Sequence, residues 1–568
     1  MMNKRLQQVG VLLCVLLAMS GFCATAKAAN FSITASTWLG ETEVKVKSRF
    51  VNEKHTLYLP GNWDITQVYL EIAGQSSIRV GDTVLTSGQK NDLSSCLGLK
   101  QRYYNERGRQ MSGTLSILHG SELPSIHFTV DSKQLSQVNK SKNNVIEEGN
   151  FLYVEANGSI SYDGPLASLK GRGNSTFAYS KKPYQVKLPE KVNLSGMGKG
   201  KTWLLIANWL DLSLMRNQVM LDLAREVGIP NALSCQMADV YFNGTYNGLY
   251  LVTEKIQVGK KRVDIYDLEE ATIQANDTPV EGTKRIDETK SEGLAILRAY
   301  AIPDDPEDIT GGYILEIEKS YRFRDKITNG FRTENGISVT VKEPTYASRA
   351  QVMYIGKMFS DFHKAALAKD GYSPDTGKYY ADFIDMESFA LKWWMEEFSK
   401  NYDAYASSQF YYKDVDSVSD KIFAGPVWDY DLSLGNMYAD NFVYGTMPDR
   451  DYVVTHSTKQ DNLYRALYQH EDFREQLTQM YRERVRPAIA EMLGLTDDGE
   501  NQVLQTFDGY MDAMDASAQM NFTRWPESLV SGYYKKSGQT HAQSATYLKN
   551  YMLKRLAYLD SVWLEKEN

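Results

Sequence analysis

The spacing of apolar residues changes beyond the middle of this 568-residue chain, and that change limits the folds open to it. Before Pro344, apolar and polar residues alternate in short segments such as EVKVKSRF, QVYLEI and ADVYF, a pattern typical of β-strands. After Pro344, apolar residues recur every three or four positions, which indicates amphipathic helices near 347–368, 386–400 and 544–564. Strands followed by helices predict an α+β fold.

The first 28 residues have the pattern of a secretory signal peptide. Lys4 and Arg5 precede an uncharged apolar run, and the small-x-small sequence Ala26-Lys27-Ala28 follows it. No later run reaches the ~18 apolar residues that a membrane-spanning helix needs. The sequence therefore predicts a protein cleaved near Ala28 and secreted to the periplasm or the cell surface, without a transmembrane segment.

Cysteine content and net charge exclude two classes of site. Removing residues 1–28 leaves only Cys96 and Cys235, which are too few for a disulfide scaffold or a thiolate zinc site. The same removal takes three positive charges and lowers the net charge from −8 to −11. An acidic chain without clustered Lys and Arg is not expected to bind nucleic acid.

The length of the mature chain, about 540 residues, predicts two or three domains. Residues 29–122 contain short alternating segments separated by turn residues, which predicts a β-sandwich-like accessory module. Residues 123–568 form the second predicted domain. Within it, 267–308 is rich in Glu, Asp, Thr and Pro, so we expect a mobile surface insertion there.

One segment has features of a phosphate site. GRGNSTFAYSKKPYQVKL, residues 171–188, places Arg172 in a glycine-bracketed turn and Lys187 on the polar face of the strand that follows. A lysine beside such a turn can hold a polyphosphate through its charge and through backbone N–H groups. The alternative is that Lys187 is an ordinary solvated strand residue.

Two further candidate binding residues lie on the helix and the hairpin that follow this segment. In WLDLSLMRNQ, Ser213 is expected to cap a helix whose first turn carries Arg216. Arg216 either reaches a phosphate or carboxylate, or ties the helix to the sheet. VYFNGTYNGLYLVTEKI is predicted to be a hairpin with an Asn243-Gly244 turn, and the polar residue Glu254 ends its apolar second strand.

The stretch GPVWDYDLSLGN holds two carboxylates, Asp429 and Asp431, within an apolar frame. In an extended segment, residues two apart face the same side. Like charges so close are relieved by a cation or by protonation, and hard oxygen ligands favour Mg²⁺ or Mn²⁺. Asp403 lies on a loop before the hairpin that delivers this pair. The alternative is that one carboxylate caps a turn while the other faces water.

Taken in order, RGNST, KKPYQVKL, ANWLD, LMRNQ, VYFNGTYNGLYLVTEKI, GGYILEIE, NYDAY and PVWDYDLSLGN resemble the CotH kinase family, the spore coat protein H-like proteins. The resemblance covers about Leu123 to Leu564. It implies an atypical protein-kinase-like domain with a β-rich N-lobe and a helical C-lobe. It also implies transfer of the γ-phosphate of ATP to Ser or Thr of a protein, with Mg²⁺ or Mn²⁺ as cofactor.

By motif position, the resemblance implies that Asp403 orients the acceptor hydroxyl and that Asp429 binds the metal with help from Asp431. Family members can carry an Asn as second metal ligand where this chain has Ser408. Lys187 is our choice for the lysine on the phosphates. The other residues expected on the nucleotide side are Arg172, Arg216 and Glu254.

Three functions follow from these patterns. The first is a secreted protein kinase acting on an unknown protein, and the second is a non-catalytic surface or adhesion protein. The third is a carbohydrate-active protein, suggested by export, 37 Tyr and 9 Trp. Glycosidase carboxylates face each other across a bond at ~5 to 9 Å, whereas Asp429 and Asp431 are neighbours on one strand. Glycan binding by residues 29–122 stays open.

Overall fold

The computed structural model describes residues 31–327, 329–436, 446–455, 461–496, 504–528 and 540–564. The predicted signal peptide lies outside these ranges. Among the residues described, none of the helices combines the length and the apolar character required to cross a bilayer.

The chain divides into two compact units. The first consists of the described residues up to Leu59 together with Trp63–His119 and Gly244–Tyr246. Its strands are β1 Ile33–Leu39, β2 Thr42–Lys47, β3 Arg49–Val51, β4 Lys54–Leu59, β5 Val68–Ile72, β6 Ser77–Val80, β7 Thr83–Thr86, β8 Gln89–Asn91, β9 Gly98–Gln101, β10 Tyr103–Asn105 and β11 Thr114–His119. They form three sheets, ordered β2-β1-β5-β8, β10-β6-β7 and β3-β4-β11-β9. Alternate positions are buried, as in β2, where Val44 and Val46 are the buried residues.

The second unit, which holds the remaining described residues, begins with a nine-stranded sheet. Its strands are β12 Ser125–Thr129, β13 Val145–Ile146, β14 Asn150–Val154, β15 Ile160–Pro165, β16 Ser168–Gly171, β17 Tyr184–Asn193, β18 Lys199–Ile206, β19 Cys235–Phe242 and β20 Thr245–Glu254. The spatial order is β13-β16-β17-β18-β20-β19-β12-β14-β15. The predicted hairpin is confirmed, with φ of +52° at Asn243 and +80° at Gly244, since a tight two-residue turn needs positive φ at both positions.

A seven-stranded sheet follows. Its strands are β21 Arg285–Ser291, β22 Leu294–Tyr300, β23 Tyr313–Ile317, β24 Gly330–Thr333, β25 Ser338–Glu343, β26 Gln409–Lys413 and β27 Ile422–Ala424. They lie in the order β21-β22-β24-β25-β23-β26-β27. Neighbours in this sheet are antiparallel.

The α-helices of the described residues are α1 Ser132–Val138, α2 Arg216–Glu226, α3 Leu268–Gln274, α4 Ser320–Lys326, α5 Arg349–Leu367, α6 Met386–Ser399, α7 Leu463–Tyr468, α8 Glu471–Met480, α9 Arg486–Met492, α10 Phe507–Arg524 and α11 His541–Trp563. Helix α5 begins with a capping box in which Ser348 and Gln351 exchange hydrogen bonds of 3.1 Å. The three helices expected from apolar spacing correspond to α5, α6 and α11. Together with the sheets they confirm the α+β class.

Residues 267–308, for which we expect a mobile surface insertion, carry regular secondary structure. This segment contains α3 and the antiparallel pair β21 and β22. Leu294, Leu297 and Ala299 of β22 are buried where the strand packs against α5. The polar composition concealed an apolar run, LAILRAY, long enough to add a strand to the sheet.

An aromatic core fixes the helices on the seven-stranded sheet. The ring centroid of Tyr411 on β26 lies 6.1 Å from that of Phe359 on α5 and 5.4 Å from that of Phe389 on α6. All three rings are buried. Because α6 and β26 are held by the same core, the loop that joins them, residues 400–408, has fixed ends.

We predict that acid destabilises the nine-stranded sheet through His127. Its ring stacks on Tyr241 at 4.8 Å, and burial lowers the pKa of His127 from 6.5 to about 3. Between these two pKa values, His127 binds more protons in the unfolded chain than in the folded chain. The free energy of unfolding should therefore fall by about 1.4 kcal/mol per pH unit as the pH drops below 6.5.

The variant His127→Phe keeps a stacked ring that cannot bind a proton. Urea unfolding of both proteins at several pH values should show a difference in stability that grows in favour of the variant from pH 6.5 towards pH 4. A difference independent of pH would contradict the prediction.

Candidate active site

The second unit contains a cavity of about 550 Å³ lined by residues of both of its sheets. Residues two apart on a strand share a face, and this explains which residues reach it. The nine-stranded sheet contributes Lys170, Gln185, Leu204, Ile206, Leu251 and Thr253, with Lys255 just beyond β20. The seven-stranded sheet contributes Glu316, Lys342 and Phe410.

The loop after α6 brings Asp403 to this cavity. Lys400 ends the helix in the left-handed conformation, which turns the chain away from the helix axis. The Nζ atom of Lys319 lies 2.6 Å from a carboxylate oxygen of Asp403. Burial lowers the pKa of Lys319, but the charge and the hydrogen bond of Asp403, together with two neighbouring tyrosines, outweigh burial and raise the pKa. The lysine therefore stays charged and holds the carboxylate in place.

Asp429 and Asp431 line the same cavity, although the segment that carries them is not the extended strand expected. Strand β27 ends at Ala424, and Asp429 has a φ of +72°. The side-chain oxygen of Asn217 on α2 accepts a 2.8 Å hydrogen bond from the backbone N–H of Tyr430. This bond holds the turn that aims both carboxylates at the cavity.

Burial governs the charge of this pair. It raises the pKa of Asp429 to about 6, with a further contribution from the Asp403 carboxylate, while Arg172 and a hydrogen bond from Ser408 oppose the rise. The Ser408 hydroxyl donates that bond to Asp429 over 3.2 Å. Burial, followed by the charge of Asp429, raises the pKa of Asp431 well above its usual value. A bound cation would relieve the repulsion.

The glycine-bracketed turn also lines the cavity. Gly173 has a φ of +85°, and a Cβ there would come within 2.4 Å of the Thr176 hydroxyl, so only glycine fits. The Lys142 ammonium donates a 2.5 Å hydrogen bond to the Gly173 carbonyl. The Arg172 guanidinium lies 5.4 Å from the Trp428 ring centroid. Burial lowers the pKa of Arg172, and Asp429 and Glu316 oppose that effect.

The donor set fits a hard divalent cation that keeps most of its own ligands. Among the described residues, no group of three or more His, Cys, Asp or Glu side chains is arranged to enclose a metal ion. Mg²⁺, however, usually takes only one or two carboxylates from a protein, with water and substrate phosphates completing its shell. Asp429, Asp431 and Ser408 supply oxygens of that kind.

The structure places Lys187, the predicted lysine on the phosphates, outside the cavity lining. The alternation along β17 is as predicted, with Tyr184 and Val186 buried and Lys187 exposed. Gln185, on the same face, lines the cavity, whereas Lys187 lies two residues farther along and outside the lining. Lys187 is thus solvated at this position of the strand, and its role on the phosphates stays a prediction. The face of the strand on which a lysine lies follows from the neighbouring residues, whereas the extent of the cavity depends on residues far apart in the chain.

Arg216 and Glu254 are also outside the lining. Arg216 is buried, ion-paired with Asp211, and donates a 3.0 Å bond from Nε to the Ser433 carbonyl. It therefore ties α2 to the carboxylate segment. Asp211 rather than Ser213 receives the Arg216 N–H, at 2.9 Å. Glu254 is 4% exposed and ion-paired with Arg262.

Five cavity cations escaped the sequence-based assignment, namely Lys142, Lys170, Lys255, Arg322 and Lys342. Lys255 follows Thr253 at the strand spacing of the cavity face, a signal available in the sequence. The sequence around Lys342 gave no such signal, because its place at the cavity depends on the pairing of β25 with β23. The five predicted residues that the cavity does bring together are Arg172, Asp403, Ser408, Asp429 and Asp431.

We predict that Asn217→Ala destabilises the protein by about 1–3 kcal/mol, since it leaves the buried N–H of Tyr430 without its acceptor. The exposed Asn143→Ala is a matched control and should change stability by less than about 0.5 kcal/mol. Urea unfolding measures both. Equal effects of the two substitutions would show that the amide does not hold the carboxylate segment.

Comparison with known proteins adds one finding. Residues 169–559 match the CotH family, which is described as "CotH kinase protein". A search of curated proteins found no match to this chain. The family match spans more than half of the sequence and confirms the resemblance seen in its motifs, so the chain belongs to the CotH family.

Proposed function

We propose that this protein is an ATP-dependent protein kinase that acts outside the cytoplasm and transfers the γ-phosphate to Ser or Thr of another protein. The observation that carries the proposal is the cavity in which Asp403, Asp429 and Asp431 meet Arg172 and several lysines. Membership of the CotH family supports it. Export rests on the signal-peptide pattern of residues 1–28.

The cavity is lined by both apolar and charged residues, a combination that suits a nucleotide. Leu204, Ile206 and Leu251 offer apolar surface for a base. Arg172 and the lysines suit the phosphates, because charge-assisted hydrogen bonds to phosphate are strong. Asp429 and Asp431, with Ser408, would hold Mg²⁺ or Mn²⁺. When bound, such an ion neutralises phosphate charge and orients the transferring group.

Asp403 is the residue we assign to the acceptor. The Ser or Thr oxygen forms a bond to the γ-phosphorus while the bond from that phosphorus to the bridging oxygen of ADP breaks, and the hydroxyl proton passes to Asp403. Phosphoryl transfer asks mainly for positioning and charge stabilisation. Lys319 supplies the positioning, since it fixes one carboxylate oxygen at 2.6 Å.

We predict that Asp403→Asn reduces phosphoryl transfer by about 10²–10⁴-fold, the usual contribution of a positioned acid or base. Asp429→Asn should also reduce transfer strongly, because it removes a charged ligand of the proposed cation. Transfer is measured with γ-labelled ATP and Mg²⁺ or Mn²⁺, using a generic protein acceptor and the protein itself. Lys187→Ala is the control and should retain wild-type activity, because its side chain is exposed and off the cavity. Wild-type transfer no greater than that of Asp429→Asn would overturn the proposal.

A second candidate is a nucleotide-binding protein without transferase activity. The observation in its favour is Ser408, a neutral hydroxyl already bonded to Asp429 where relatives can carry a metal-binding amide. Thermal unfolding with ATP and metal separates the two functions, because a ligand raises stability by mass action whether or not it reacts. Stabilisation by ATP without phosphoryl transfer, both in the wild type and in Ser408→Asn, would support this second function.

A further inference from the structure

An ion pair joins two neighbouring strands at the cavity wall. Glu316 on β23 lies opposite Thr340 on β25, and Lys342 is two residues from Thr340 on the same face. Long side chains reach such diagonal neighbours across a sheet. The Lys342 ammonium lies 2.8 Å from a Glu316 carboxylate oxygen.

The two partners differ in exposure. The Glu316 side chain is 9% exposed and that of Lys342 is 42% exposed, and both line the cavity. The carboxylate is therefore the fixed partner and the ammonium the accessible one. The Glu316 charge acts on the pKa of both Arg172 and Asp429, so the pair lies within electrostatic range of the proposed cation site.

The other cations near the site are less suited to bind phosphate. Lys319 already forms an ion pair with Asp403, and Arg322 forms one with Glu318 at 3.3 Å. Lys142 donates to the Gly173 carbonyl. Lys170 and Lys255 line the cavity, but across the described ranges neither has a carboxylate within ion-pairing distance to fix its direction. Lys342 combines an accessible charge with a buried carboxylate that orients it.

We propose that Lys342 binds the phosphates of the nucleotide and that Glu316 is the residue that positions it. This inference rests on the proposed function and gives Lys342 the role that the sequence pattern assigned to Lys187. The pair lies across strands β23 and β25, so its two residues are fixed by sheet register rather than by a flexible loop. Because the ion pair already restricts its rotamers, a lysine held this way loses less conformational entropy when it binds the phosphates.

The test compares ATP with adenosine, which shares the base and ribose but has no phosphate. Calorimetry with Mg²⁺ is carried out on the wild type, Lys342→Met, Lys342→Arg and Lys187→Met. Lys342→Met should bind ATP about tenfold to a hundredfold more weakly, the value of a charged hydrogen bond, and adenosine as the wild type does. Lys342→Arg should recover part of the loss, and Lys187→Met should match the wild type.

Glu316→Gln examines the positioning role. It leaves the lysine charge but removes the partner that directs it, so kcat should fall more than ATP affinity does. A merely structural role for Glu316 would instead weaken adenosine and ATP binding together. If Lys342→Met does not fold, Lys342→Gln takes its place, since it keeps a polar side chain of similar length.

The outcomes separate the two proposals. A wild type that binds ATP no more tightly than adenosine would overturn the proposed function and this inference with it. A wild type that binds ATP more tightly, together with a Lys342→Met variant of equal ATP affinity, would overturn the inference alone. Loss of ATP preference in Lys187→Met but not in Lys342→Met would return the role to Lys187.

Discussion

The hydrogen bond from the Tyr430 N–H to Asn217 is the constraint on which the candidate site depends. It holds a left-handed residue, Asp429, that an L-amino acid adopts only at some cost in free energy. Arg216, the neighbour of Asn217, anchors the same segment through the Ser433 carbonyl. One turn of helix α2 therefore sets the direction of both carboxylates.

Charge in the cavity is largely balanced before any ligand arrives. Lys319 faces Asp403, and Lys342 faces Glu316. Among the described residues, Asp429 and Asp431 form no ion pair, and burial, followed by the charge of neighbouring carboxylates, raises the pKa of each. A polyphosphate that arrives with a divalent ion would bring one positive centre to this pair and negative oxygens to the lysines. The cavity thus suits a ligand that carries both signs of charge.

Sequence reasoning succeeded where structure is local. The Asn243-Gly244 turn, helices α5, α6 and α11, and the position of Asp403 just after α6 all follow from neighbouring residues. It failed where a property depends on residues far apart in the chain. Lys187 has the right face but lies past the end of the cavity, whereas the partner of Lys342 is on a strand 26 residues earlier. The left-handed Asp429 has the same origin, since Asn217 on a distant helix imposes it.

The polar segment around β21 has a consequence beyond its fold. Strand β21 forms one edge of the seven-stranded sheet, and its sequence RIDETKS places charges along it. An edge strand exposes unpaired backbone groups that invite a second chain to add a strand, and charged side chains oppose that addition. The composition that suggested a mobile insertion therefore also suits an edge strand, because its charges oppose the addition of a strand from a second copy.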